Sequence, residues 1–395
     1  MGTNFNVGSF NAINTSEEKK PKSNKSHGSN DELRKRLLLF GGVILGGAIL
    51  LFLILFLLSL FMQKTYSYDD IEKIMTNAAK EYFEDHPKKL PSSANQRVEI
   101  DVDTLVSYEY MDEMVEYTGE ELTCTGKVAV QSNGSEYLYI PRLECGDDYV
   151  TQSLNEVVTK KVVTEGDGLY QLGNNYVYRG ENVNNYLQLE QSLWRIVKVT
   201  EDGELMLILD APTFESVTWD DRYNSVVGYN LGINTYSASR IRDSLETYYK
   251  TNDEDNAILS DDDRSKTVSF DLCIGKRKTT DTLKDNSLEC SEVLQDQKIG
   301  LLTVSDYMTA SLDSNCKTTV DYSCQNYNYL VSSYKWWLVT ASSENTSEAY
   351  SISTSGILEN TTTSSYMYPR AVIMLDSNVL FKSGKGTESK PYKVK

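Results

Sequence analysis

Apolar residues crowd one stretch of this chain without interruption. From Leu37 to Met62 no residue is charged, and Leu, Ile, Val and Phe dominate. This predicts a helix able to cross a ~30 Å hydrocarbon core with some tilt. From Tyr68 to Phe83 the pattern becomes helical and amphipathic. Ile71, Ile74, Met75, Ala78, Ala79, Tyr82 and Phe83 recur at i, i+3, i+4 and i+7, with Asp69, Asp70, Glu72 and Lys73 between them. Asp69 or Asp70 suits a first turn, and Pro87 marks the stop. This apolar stripe is expected to pack on the domain that follows, with contact to another copy as the second choice.

From Val98 the period shortens to two. Val98, Ile100 and Val102 alternate, and Lys127–Val130 and Tyr137–Ile140 flank Asn133-Gly134-Ser135 as a hairpin. If Gly134 and Ser135 form the loop, Cys124 and Cys145 face one another, a geometry suited to a disulfide. Residues 151–165 lack a core pattern and read as a linker. Gly166, Gly168, Gly173 and Gly180 then open a second domain. Its expected strands are Leu193–Val199, Leu205–Leu209, Ile299–Val304, Trp336–Thr340, Tyr350–Ser353, Leu358–Asn360 and Ala371–Leu375. Helices are expected over Ser239–Tyr249 and from Ser305. Strands dominate with a few helices, so the class is α+β.

Charge sets the expected topology. Seven basic residues and four acidic ones precede Leu37, a bias that keeps that side of a membrane helix in the cytoplasm. The chain as a whole is acidic, with a net charge of −18. Such a surface suits solubility and excludes nucleic acid as a partner. All six Cys fall after Met62, where oxidation is available. Their spacing suggests three local pairs: Cys124–Cys145, Cys273–Cys290 and Cys316–Cys324. No CxxC spacing indicates zinc or redox chemistry. The Gly42-xxx-Gly46 spacing leaves self-association through the membrane helix open.

Catalytic patterns are missing. The only His beyond the membrane stretch is His86, beside Pro87 at a helix end, so a Ser–His triad or His-based zinc site lacks its members. No phosphate-cradling or dinucleotide fingerprint occurs. No cofactor and no metal are expected. Asp253-Glu254-Asp255 and Asp261-Asp262-Asp263 carry oxygen ligands but not EF-hand spacing, and read as solvated loops. Trp219 followed by Asp220 and Asp221 sets an aromatic platform beside hydrogen-bond acceptors, an arrangement suited to sugars. A carboxylate pair can also hydrolyse glycosides, the least favoured reading here. Trp336 and Trp337 are adjacent, so on a strand they point to opposite faces.

Six segments in order resemble an uncharacterised domain family of bacterial cell-surface proteins, distantly similar to C-type lectin-like and sulfatase-modifying folds. They are Trp194-Arg195-Ile196-Val197; Ser239, Ile241, Arg242 and Leu245; Gly300-Leu301-Leu302-Thr303; Trp337-Leu338-Val339-Thr340-Ala341-Ser342; Arg370-Ala371-Val372-Ile373-Met374-Leu375; and the closing Gly384-Lys385-Gly386-Thr387 with Lys390-Pro391-Tyr392. The resemblance covers about residues 166–395. It implies a stable sheet carrying variable ligand-binding loops. It also makes Trp337 the core residue of its pair, leaving Trp336 and Trp219, with Asp220 and Asp221, as the ligand-binding candidates. Helix followed by a small sheet directly after a membrane stretch resembles a pilin or pseudopilin over residues 37–150.

Together these readings predict a non-enzymatic, single-pass surface protein with its amino terminus in the cytoplasm. The expected parts are a tail (1–36), a transmembrane helix (37–62) continuing into a stalk helix with a small pilin-like β domain (63–150), a linker (151–165) and a lectin-like antiparallel α+β domain (166–395). The expected function is extracellular binding or adhesion, to a glycan, a cell-wall polymer or a protein. A structural subunit of a pilus-like assembly is the alternative.

Overall fold

Ser67 decides where the first well-described helix begins. Its backbone is extended, its side chain accepts from the Asp70 amide, and Asp70 reaches back to the Ser67 amide. This reciprocal capping box starts the helix Tyr68–Asp85 as an element of its own. The expectation of a transmembrane helix running on into a stalk helix is therefore corrected. Among the described residues no helix is long and apolar enough to cross a membrane. The expected span 37–62 lies outside the described residues except for Gly47 and Ile49–Phe52, which are helical.

The computed structural model describes Arg34, Arg36, Gly47 and residues 49–52, 66–93, 96–119, 122–132, 137–190, 192–251 and 257–395. Tyr66–Lys395 forms one compact unit, of mixed α+β class, with two large hydrophobic cores.

The smaller core sits between the Tyr68–Asp85 helix and a four-stranded antiparallel sheet. Its strands are β1 (Arg97–Asp101), β2 (Thr125–Ser132), β3 (Tyr137–Cys145) and β4 (Tyr149–Val150), in that order. Ile71, Met75, Ala78, Ala79, Tyr82 and Phe83 are all buried there, so the apolar stripe is consumed within its own chain. Ser132 pairs with Tyr137 and Thr125 with Glu144. Continued one residue, this register sets Cys124 opposite Cys145, and the two are disulfide-bonded. The expected turn residues 133–135 lie outside the described residues. The β alternation read as far as Val102 stops one residue earlier, because Val102 opens the short helix Val102–Ser107.

The stretch read as a linker carries a helix, Leu154–Thr159, whose Leu154 and Val158 are buried in the larger core. That core is built on a nine-stranded sheet. The strands come in the order β5 (Gly168–Leu172), β6 (Asn175–Arg179), β7 (Tyr186–Leu189), β8 (Ser192–Val199) and β9 (Leu205–Leu209), then, after a short β10 (Val217–Thr218), β11 (Thr267–Val268). Outside this sheet, β12 (Phe270–Cys273) pairs with β13 (Val293–Gln297), and β14 (Trp336–Ala341), β15 (Glu348–Ile352) and β16 (Leu358–Thr362) form a three-stranded sheet. The chain ends through β17 (Tyr366–Met367), β18 (Val372–Leu375), β19 (Phe381–Ser383) and β20 (Tyr392–Val394). The large sheet runs β11-β18-β9-β8-β7-β20-β19, with the β5–β6 hairpin joined to β8. Its expected antiparallel character fails at one place: β20 lies parallel to β7.

Two local expectations change. Ile299–Val304 is not a strand. Gly300 makes a single bridge to Val372, and the chain turns at once into the helix Val304–Ala310, capped by Thr303 with Asp306. Trp336 and Trp337 point to opposite faces of β14, yet both are fully buried, because every residue of that strand is covered. The predicted helix after Ser239 forms as Arg240–Tyr249, with the Ser239 hydroxyl as its cap.

Candidate functional site

The residues singled out in the sequence, Trp219, Asp220 and Asp221, stand at the root of a surface loop. Strand β10 delivers them, and β10 is pinned by two indoles. Trp219 Nε1 donates to the Leu338 carbonyl (3.1 Å), and Trp337 Nε1 donates to the Val217 carbonyl (3.0 Å). Trp219 is fully buried, with the Tyr236 ring 5.7 Å away. It cannot serve as a sugar platform, which corrects the expectation. Trp336 is likewise enclosed, between the Arg370 guanidinium (4.9 Å) and the Tyr307 ring (6.1 Å). Neither tryptophan reaches solvent.

Asp220 is a buried anchor. Its carboxylate accepts from the Arg222 guanidinium (2.6 Å from Nη2, 2.8 Å from Nε) and from the amides of Arg222 and Ile233. Asp220 in turn holds the Arg222 guanidinium above its ordinary pKa. Asp221 pairs with Arg240 at 2.7 Å on the surface. With both carboxylates committed to arginines, this pair is not set up as the acid and base of a glycosidase.

The loop that springs from this root runs from Arg222 to Gly232 and closes on itself. The Gly232 amide donates to the Arg222 carbonyl, and the Asn224 amide to the Tyr229 carbonyl (both 2.9 Å). Buried Asn224 is the internal peg. Its Nδ2 donates to the carbonyls of Gly232 (2.8 Å) and Thr346 (3.2 Å), and its Oδ1 accepts from Val226 N. Thr363 fastens the far side, donating to the Leu231 carbonyl at 2.8 Å. Gly232 has φ +80°, and a Cβ there would collide with the Asp220 backbone and the Thr363 hydroxyl. Only glycine fits that crossing.

A loop so tightly closed has its apolar side chains pushed outward. Tyr223, Val226 and Tyr229 are 59%, 75% and 70% exposed. Tyr366, 73% exposed, sits on β17, the strand paired with β10 beside the loop root. These exposed residues were not singled out by sequence reasoning. The available signal was Tyr223-Asn224 and Gly228-Tyr229-Asn230 ahead of Gly232, an aromatic-bearing loop punctuated by Asn and Gly. Tyrosine offers an apolar face with a polar tip and loses little rotamer entropy when fixed.

Other candidates find ordinary partners. His86 Nδ1 lies 2.8 Å from the Tyr82 carbonyl at the helix end, and the ring stacks on Tyr82. Asp261, Asp262 and Asp263 form the first turn of a short helix, paired with Arg264 and Lys266. Asp253-Glu254-Asp255 lies outside the described residues. Among the described residues no group of three or more His, Cys, Asp or Glu side chains gathers as a metal site. Cys273–Cys290 and Cys316–Cys324 are disulfide-bonded, as is Cys124–Cys145. Three disulfides suggest an extracellular or secreted protein.

Comparison with protein-family models, with curated proteins and with solved structures found no match.

Proposed function

We propose that this is an extracellular binding protein that recognises a glycan or cell-wall polymer through the Arg222–Gly232 loop. The carrying observation is the contrast between that loop's two ends. Its root is buried and hydrogen-bonded at Asp220, Asn224 and Thr363, while its tip turns Tyr223, Val226 and Tyr229 to water. A rigid aromatic tip binds without a large ordering cost. The order of motifs resembling a bacterial surface-domain family supports the same reading. The pilus-like alternative receives no comparable support, since the stripe of the Tyr68–Asp85 helix is spent on the chain's own core.

The test is binding of the purified chain to a panel of glycans and cell-wall polymers. Saturable binding is expected, weakened about tenfold or more by Tyr223→Ala or Tyr229→Ala, with the thermal midpoint unchanged. Binding that both variants retain in full would remove the loop from the function. A folded chain that binds nothing on the panel would remove the glycan reading.

A further inference from the structure

A cleft of 640 Å³ opens between the β5–β6 hairpin and the segment Thr282–Asn286. Asn175, Val177 and Arg179 alternate along β6, so they share one face and form the floor. Lys198 on β8 lies directly across from Val177 and extends that floor. Lys284 stands on the opposite wall, with Asp306 and Thr309 from the Val304–Ala310 helix beside it.

The charges here are unusual for a chain with 57 acidic and 39 basic residues. Arg179 spends Nε and Nη2 on the carbonyls of Thr309 (2.9 Å) and Ser311 (3.0 Å), and its guanidinium lies over the Tyr170 ring at 5.2 Å. It has no carboxylate partner among the described residues. Lys284 is half-buried and has neither a hydrogen-bond nor an ion-pair partner there. Burial, and then the charge of Arg179, push its pKa down. The nearby carboxylates are already engaged. Asp306 accepts from Lys198 (3.3 Å), Asn286 and Thr303, and Asp285 accepts from Ser287. Asp313 is held by Asn326 and Asn315, and Asp321 by Ser323 and Lys317.

The cationic wall is also stiff. Fully buried Arg277 donates to the Leu283 carbonyl at 2.7 Å, and Thr309 Oγ1 donates to the Lys284 carbonyl at 2.9 Å. Asn286 donates to Asp306 and accepts from Thr303. Two like charges, neither ion-paired among the described residues, are thus held at one cleft whose own carboxylates, Asp285 and Asp306, are engaged by Ser287 and by Lys198, Asn286 and Thr303. An oxyanion placed there removes their repulsion and gains charge-assisted hydrogen bonds. The volume is that of a small-molecule site.

We infer that this cleft binds the oxyanion, carboxylate or phosphate, of a small sugar-sized ligand, held by Lys284 and Arg179. The site is built from different residues than the aromatic loop and stands independently of it. Calorimetric titration of the purified chain with inorganic phosphate and with glucuronate tests it. Saturable binding of either probe is expected, weakened about tenfold by Lys284→Gln, close to wild type in Lys284→Arg, and unaffected by Tyr223→Ala. Phosphate binding alone assigns a phosphate, and glucuronate binding alone a carboxylate. Saturation by neither probe overturns the inference. So does binding that Lys284→Gln, with an unchanged thermal midpoint, leaves intact.

Discussion

Charge burial separates structural from surface pairs at the level of single residues. Arg277 and Glu289 are both fully buried at 3.2 Å. Glu289 also accepts from the amide and hydroxyl of Ser305, and Arg277 reaches Thr319, Leu283 and the Met308 sulfur. Removing one partner strands the other charge without water. Glu289→Gln is therefore expected to cost about 3–5 kcal/mol in denaturant unfolding. Lys127→Ala, which breaks an exposed pair with Glu99, should cost under ~1 kcal/mol. Equal costs for the two would mean that burial does not set the worth of these pairs. The same variable explains the misplaced tryptophans. An indole beside two carboxylates looks alike in sequence whether it faces a sugar or fills a core. At Trp219 the carbonyl of Leu338, more than a hundred residues later, settles the matter.

At the scale of elements, turns and caps act locally and were mostly legible. Ser239, Pro87 and the Cys124–Cys145 register all follow from a few neighbouring residues. Ile299–Val304 was misread because an apolar run of that length suits a buried loop as well as a strand. Here the Thr303–Asp306 capping box starts a helix instead. The Arg222–Gly232 loop shows the converse, a short irregular segment made rigid by long-range bonds to Thr346 and Thr363. Gly232→Ala places a side chain at a left-handed backbone position, at about 1–2 kcal/mol, and drives it into the Asp220 backbone. The expected result is a lower thermal midpoint together with loss of loop-dependent binding. Unchanged stability and binding in Gly232→Ala would show that the loop root is not the constraint described.

At the scale of the whole molecule, two cores share one compact unit because side chains cross between them. Arg97 donates to Asn378, and Gln131 bonds both Asp376 and Asn378. Leu138, Ala129 and Ile140 pack against Leu380. Lys395 ion-pairs with Asp69 (2.6 Å) and with buried Glu72. Burial alone would lower the Lys395 pKa, but the hydrogen bonds its ammonium donates to Asp69, Glu72 and Tyr149 outweigh it and hold it above the ordinary lysine value of 10.5. A cation with a raised folded pKa stabilises fully below its unfolded value, and that contribution is lost as the pH climbs past it. The linkage between the cores should thus be constant through neutral pH and weaken above about pH 10.5. Hydrogen exchange in residues 66–150 should rise there in wild type beyond the intrinsic rate, and should already be raised at neutral pH in Lys395→Ala. Identical protection in both proteins at neutral pH would refute the linkage.

What the sequence determined by itself was short-range. It includes the amphipathic helix at Tyr68, the strands around Trp194 and Leu205, the three cysteine pairs and the α+β class. These depend on periodicity and on neighbours close along the chain. Only the tertiary structure decided which aromatic residues meet water and which acids are tied up by arginines. It also decided that β20 enters the large sheet parallel to β7, and that Lys284 and Arg179 face one cleft. Each of these rests on contacts between residues tens to hundreds of positions apart, where burial and Coulomb energy, rather than local preference, set the outcome.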